Sequence, residues 1–145
     1  MQKMLVLMVM ILTMLIAGIA VAATFTDNKN GTVLDSATGL MWQQGEPGSL
    51  TWTDALSYCN GLSLGGNSDW RLPNITELES ITDDGKYNPA IDTTYFPNVH
   101  ASVYWSSTTD ANDANYAWNV YFFLGSVHHN PKSFSYFVRC VRGGQ

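Results

Sequence analysis

The ten residues Asp69-Trp70-Arg71-Leu72-Pro73-Asn74-Ile75-Thr76-Glu77-Leu78 constrain this 145-residue chain more than any other stretch. Arg71 is one of seven basic residues and stands between Trp70 and Leu72, where core side chains are expected. A guanidinium in that setting must be paired or hydrogen-bonded, because burying it unsatisfied is very costly. Pro73 drives Leu72 towards an extended backbone. Asn74 is then a good N-cap, and Glu77 stands where a capping box needs it. The stretch predicts a strand, a tight corner and a helix. Trp70, Arg71, Pro73, Asn74 and Glu77 are its structural residues, and the corner marks a fold more than an activity.

The first 23 residues differ from the rest. Lys3 precedes a run from Met4 to Ala23 that only Thr13 and Gly18 interrupt. It closes on Ala20-Val21-Ala22-Ala23, small residues suited to cleavage by signal peptidase. The alternative is an uncleaved anchor, since about 20 apolar residues can span a bilayer. The expectation is a signal peptide over 1–23 and one domain over 24–145, exported to the periplasm, the cell surface or the medium.

Without Lys3, twelve acidic residues face six basic ones. That balance argues against a nucleic-acid partner and against membrane contact beyond the leader. All eighteen aromatic residues lie after residue 23, enough to fill a core and furnish a binding surface. The two cysteines, Cys59 and Cys140, form an even count in a chain read as exported, which favours a disulfide over two free thiols.

Along the chain, Asn30-Gly31 signals a two-residue hairpin turn between Thr24–Asp27 and Thr32–Asp35. Thr38-Gly39 marks a turn before a strand at Leu40–Gln43. Thr51 caps a helix that carries Ala55, Leu56, Cys59 and Leu62 at helical spacing. A second helix is expected over about 75–81. Residues 82–101 are rich in breakers but hold Tyr87, Ile91, Tyr95 and Phe96, so they read as a long ordered loop. Strands follow at Val103–Ser107, Tyr116–Leu124 and Phe134–Val141, with a polar turn at 110–115 and a solvated connection through His128, His129 and Pro131.

The order of these motifs resembles the Lcl C-terminal domain family, named for a bacterial collagen-like adhesin. The resemblance rests on Asn30-Gly31-Thr32-Val33, Thr38-Gly39-Leu40-Met41-Trp42-Gln43, Trp52…Ala55…Tyr58-Cys59, the Asp69–Leu78 stretch, Tyr104-Trp105-Ser106-Ser107 and Val138-Arg139-Cys140-Val141-Arg142. More distantly, Arg71-Leu72-Pro73 and Arg139-Cys140-Val141-Arg142 look like the formylglycine-generating enzyme group. The resemblance implies an α+β, C-type lectin-like fold with two short helices, a small twisted antiparallel sheet and long irregular loops. It also implies a disulfide between a helix and the last strand.

The enzyme class is not expected to carry over. Formylglycine-generating chemistry needs a reactive cysteine, and the expected disulfide uses both. No nucleophile-elbow pattern surrounds Ser106 or Ser107. His128 and His129, as neighbours on a strand, would face opposite ways and lack partners at ligand spacing.

Candidate ligand-binding residues instead gather in the loops: Asp83, Asp84, Tyr87 and Tyr95 in one, and Asp110, Asn112, Asp113, Asn115 and Tyr116 in the other. Their oxygens could serve calcium, although the sugar-binding triplets of calcium-dependent lectins are absent and solvated turns are the ordinary role of such residues. The sequence therefore points to a non-catalytic recognition module without an obligatory cofactor. Its expected partner is an extracellular glycan, in an adhesin-type role, or an envelope or host protein. The alternative is an envelope assembly domain that binds one protein partner.

Overall fold

The computed structural model describes residues 25–144, so the leader expected over 1–23 lies outside the described residues. Among the described residues the fold is α+β, with two helices and two sheets. The first sheet holds β1 (Phe25–Asp27), β2 (Thr32–Asp35), β3 (Met41–Gln43) and β9 (Val141–Arg142) in that spatial order. The second runs β4 (Ser49–Thr51), β8 (Ser135–Phe137), β5 (Val103–Thr109), β6 (Tyr116–Tyr121) and β7 (Ser126–Pro131). The expected small antiparallel sheet is thus two sheets, and among the described strands β5 and β8 alone pair in parallel. Helices α1 (Trp52–Asn60) and α2 (Ile75–Ser80) lie between the strands in sequence.

Each helix starts where its cap dictates. Thr51 accepts from the Asp54 N–H, and Asn74 forms the full capping box with Glu77. Ala55 and Cys59 are buried along α1, while Leu56 and Leu62 are half-buried. Two apolar clusters form the core. One gathers Val33, Trp42, Leu78, Phe96, Tyr104 and Val120. The other gathers Ala55, Cys59, Trp70, Trp105 and Val138 around the Cys59–Cys140 disulfide. The bridge fastens the last turn of α1 to the segment between β8 and β9, across 81 positions of sequence.

Arg71 is held as expected. Its two terminal nitrogens donate to Glu77 at 2.7 Å each, and Nη2 also donates to the Gly143 carbonyl. The preceding strand, however, reduces to a single bridge between Arg71 and Val141.

Four other expectations need correction. The first hairpin is wider than two residues: Asn28 N–H donates to Thr32 O, and Lys29 and Gly31 both take positive φ. The strand expected over Tyr116–Leu124 stops at Tyr121, where the Leu124 and Gly125 N–H groups turn back to the Tyr121 carbonyl. Phe122 is therefore buried, while Leu124 is 60% exposed. The expected connection through His128 and His129 is strand β7, paired with β6 along its whole length. The closing strand splits in two, because Val138 to Cys140 pass through the core from one sheet to the other.

Candidate functional site

The 110–115 turn is shaped by its own side chains. Asp110 Oδ1 accepts from the Asn112 N–H, and Asp113 Oδ1 accepts from the Asn115 N–H, both at 2.9 Å. Short Asp and Asn side chains favour such local turns. The Asp110 N–H donates to Tyr116 O and the Tyr116 N–H donates to Asp113 O, closing the turn onto the start of β6. Lys132 pins it from outside, donating to Ala114 O and Thr109 Oγ1 while its ammonium lies 3.9 Å from the Trp52 ring centre.

Pairing of β6 with β7 sets Trp118 opposite His129. The His129 ring stacks on Trp118 at 5.1 Å and lies 5.6 Å from the Tyr116 ring. Its Nδ1 sits 2.5 Å from Asp110 Oδ2. Asp110 is almost fully buried, and the Asn112 N–H and His129 hold its carboxyl below the ordinary range. An ionised carboxylate only accepts, so His129 Nδ1 carries the proton in this contact. Asp110, Asn112, Asp113, Tyr116 and His129 line a cleft of about 350 Å³. It joins aromatic rings to acceptor oxygens and an orienting carboxylate, the mixture of apolar and polar groups used by small-ligand sites.

The long loop does not join this cleft. Asp83 and Asp84 border a separate cleft of about 300 Å³ with Phe25 and Asp92. Lys86 lies between Asp83 and Asp92, at 3.3 and 3.6 Å. Tyr87 is 75% exposed beside Pro89 and Ile91. Tyr95 is half-buried against Phe25 and gives its carbonyl to Gln44 Nε2. Asn115 stands at the base of the 110–115 turn, outside the cleft lining. Among the described residues, no group of three or more His, Cys, Asp or Glu side chains is placed to hold a metal.

A second polar centre lies inside the fold. Arg139 is buried and donates to the carbonyls of Gln43 and Gln44, and its Nη2 lies 3.3 Å from Glu46. Glu46 also accepts from the Tyr104 hydroxyl at 2.5 Å and pairs with His100, whose ring stacks on Phe137. Burial and the Glu46 contact push the Tyr104 hydroxyl pKa well up. This network ties the loop at 44–48 to the end of the long loop and to the core.

Sequence reasoning missed His129 in the cleft and Trp118 stacked behind it, and Glu46 and His100 in the buried network. The alternation of Tyr116, Trp118 and Val120 was the available signal for Trp118. His129 could be placed only once β7 was recognised as a strand.

Residues 31–142 match the Lcl C-terminal domain. The chain belongs to that family. All of the corner, both cysteines and the whole cleft lie inside the matched region. A comparison with curated proteins returned no match.

Proposed function

We propose that this Lcl C-terminal domain is an exported, non-catalytic recognition module, and that it binds a glycan in the cleft beside the 110–115 turn. One observation carries the reading. The half-exposed Tyr116 and Trp118 rings and the exposed His129 ring stand at the edge of a cleft lined with carboxylate and amide oxygens. A pyranose offers an apolar face that stacks on aromatic rings and hydroxyls that satisfy such acceptors. Asp110 orients His129, so the rim has one arrangement in advance of binding, which lowers the cost of ordering it.

The proposal includes a C-type lectin-like fold, supported by the two helices, the helix-to-C-terminus disulfide and the long loop without regular structure over 82–102. Export is supported by the disulfide, which persists in oxidising compartments. Among the described residues no helix is long and apolar enough to cross a membrane. The test is a glycan array probed with the purified full-length protein, in calcium and in chelator. Binding that fails in Tyr116→Ala supports the reading, and an array without hits opposes it.

A protein partner is the second reading. Tyr87 and Leu124 are 75% and 60% exposed, and the Asn88 N–H donates to Phe123 O, bringing their two segments together. Capture of one envelope protein, lost in a Tyr87→Ser/Leu124→Ser variant, favours it.

A further inference from the structure

We infer that the Asp110–His129 cleft prefers a glycan bearing a free primary amine, a de-N-acetylated hexosamine, over the N-acetylated sugar and over acidic sugars. The inference rests on the binding role proposed above.

The charge of the lining is the first reason. Asp110 and Asp113 are both carboxylates, and His129 is the single basic side chain among the described lining residues. One imidazolium at most against two carboxylates leaves the cleft net negative in either state of His129. Lys132 keeps its positive charge, because Thr109, Ala114 and the Trp52 ring are neutral partners, but it is not among the residues that line the cleft. An acidic sugar would meet like charge at short range, and a neutral one would gain nothing from it.

Hydrogen-bond inventory is the second reason. Asp113 Oδ1 is occupied by the Asn115 N–H and Nδ2, but no described residue donates to Asp113 Oδ2. The Asn112 amide lends its N–H₂ to Asp110 at 3.4 Å, and no described residue donates to its Oδ1. Asn112 and Asp113 are exposed, so these acceptors are available to an incoming donor in exchange for water. An ammonium brings three donors and no acceptor, whereas an N-acetyl group brings one donor and a carbonyl that would face the carboxylate. The half-exposed Tyr116 ring adds a π-face for the same cation.

The test is calorimetric titration of the full-length protein with three matched oligosaccharides, at a pH where the sugar amine is protonated. These are a fully deacetylated chito-oligosaccharide, its fully acetylated counterpart and an oligogalacturonate. The deacetylated form is expected to bind about three- to fivefold tighter than the acetylated one, as an exposed ion pair allows. The ratio should shrink in high salt and fall to about one in Asp113→Asn, with thermal melting used to verify that the variant folds. Equal or tighter binding of the acetylated or acidic sugar overturns the preference and leaves the binding role standing. A preference that survives unchanged in folded Asp113→Asn overturns the assignment to this cleft. Failure of all three to bind rejects the amino-sugar preference, and the broad array then decides the binding role separately.

Discussion

Glu77 accepts both terminal nitrogens of Arg71, at 2.7 Å each, while its Oε2 also takes the Asn74 N–H at 2.9 Å. One carboxylate thus closes the capping box of α2 and neutralises the charge of the Trp70-Arg71-Leu72 corner. The geometry is bidentate, the strongest form of arginine–carboxylate contact.

Burial pushes the Glu77 pKa up, but the Arg71 guanidinium and the Asn74 N–H outweigh it, and the net shift is down. A carboxyl whose folded pKa is depressed stabilises the fold above its unfolded value and loses that contribution as pH falls through the folded one. Wild type should therefore lose stability as pH falls below the ordinary glutamate range, and Glu77→Gln should show a shallower loss there. Asn74→Ala, which removes the cap alone, should cost about 1 kcal/mol. Thermal melts over a pH series check both. An identical pH slope in Glu77→Gln would show that the pair is not the source.

The Cys59–Cys140 bridge encloses a long loop, and its removal should be expensive. Cys59→Ser/Cys140→Ser is expected to lose about 4 kcal/mol in chemical denaturation, by the loop-entropy relation. Native protein should show no titratable thiol before reduction, as both cysteines are bonded. Two thiols in non-reduced protein would contradict the structure and revive the enzyme reading.

Arg139 is 1% exposed, and Glu46 is its carboxylate partner. Glu46→Ala leaves a buried guanidinium without a counter-charge and should cost about 3 kcal/mol. Adding Arg139→Met removes the stranded charge and should restore part of the loss, though the Gln43 and Gln44 carbonyls then lose their donor. A double-mutant cycle in denaturant measures this. Additive losses in the two single variants and the pair would mean that the two groups do not interact.

What could be read from the sequence was local. Thr51 and Asn74 announce their helices within four residues, and the Asn74–Glu77 box with Pro73 places the corner before any long-range contact is known. The disulfide was legible because two cysteines allow only one pairing. The cleft was half legible: Asp110, Asn112, Asp113 and Tyr116 sit in one visible turn, but His129 reaches Asp110 only through the pairing of β6 with β7. That strand was hidden because Ser126–Pro131 contains two histidines, an asparagine and a proline in place of an apolar alternation. The Glu46–Arg139 contact was invisible for a plainer reason. Its partners lie 93 positions apart, and a glutamate in a Gly/Pro loop carries no sign of burial.

The proposed glycan site is the cleft formed by Asp110, Tyr116 and His129. Glycan-array binding of the wild-type protein, compared with folded Tyr116→Ala and His129→Ala, tests it most directly. A defined set of hits in wild type, falling at least tenfold in both variants, is the expected result. Absence of any wild-type hit, or hits that both variants retain unchanged, would contradict it.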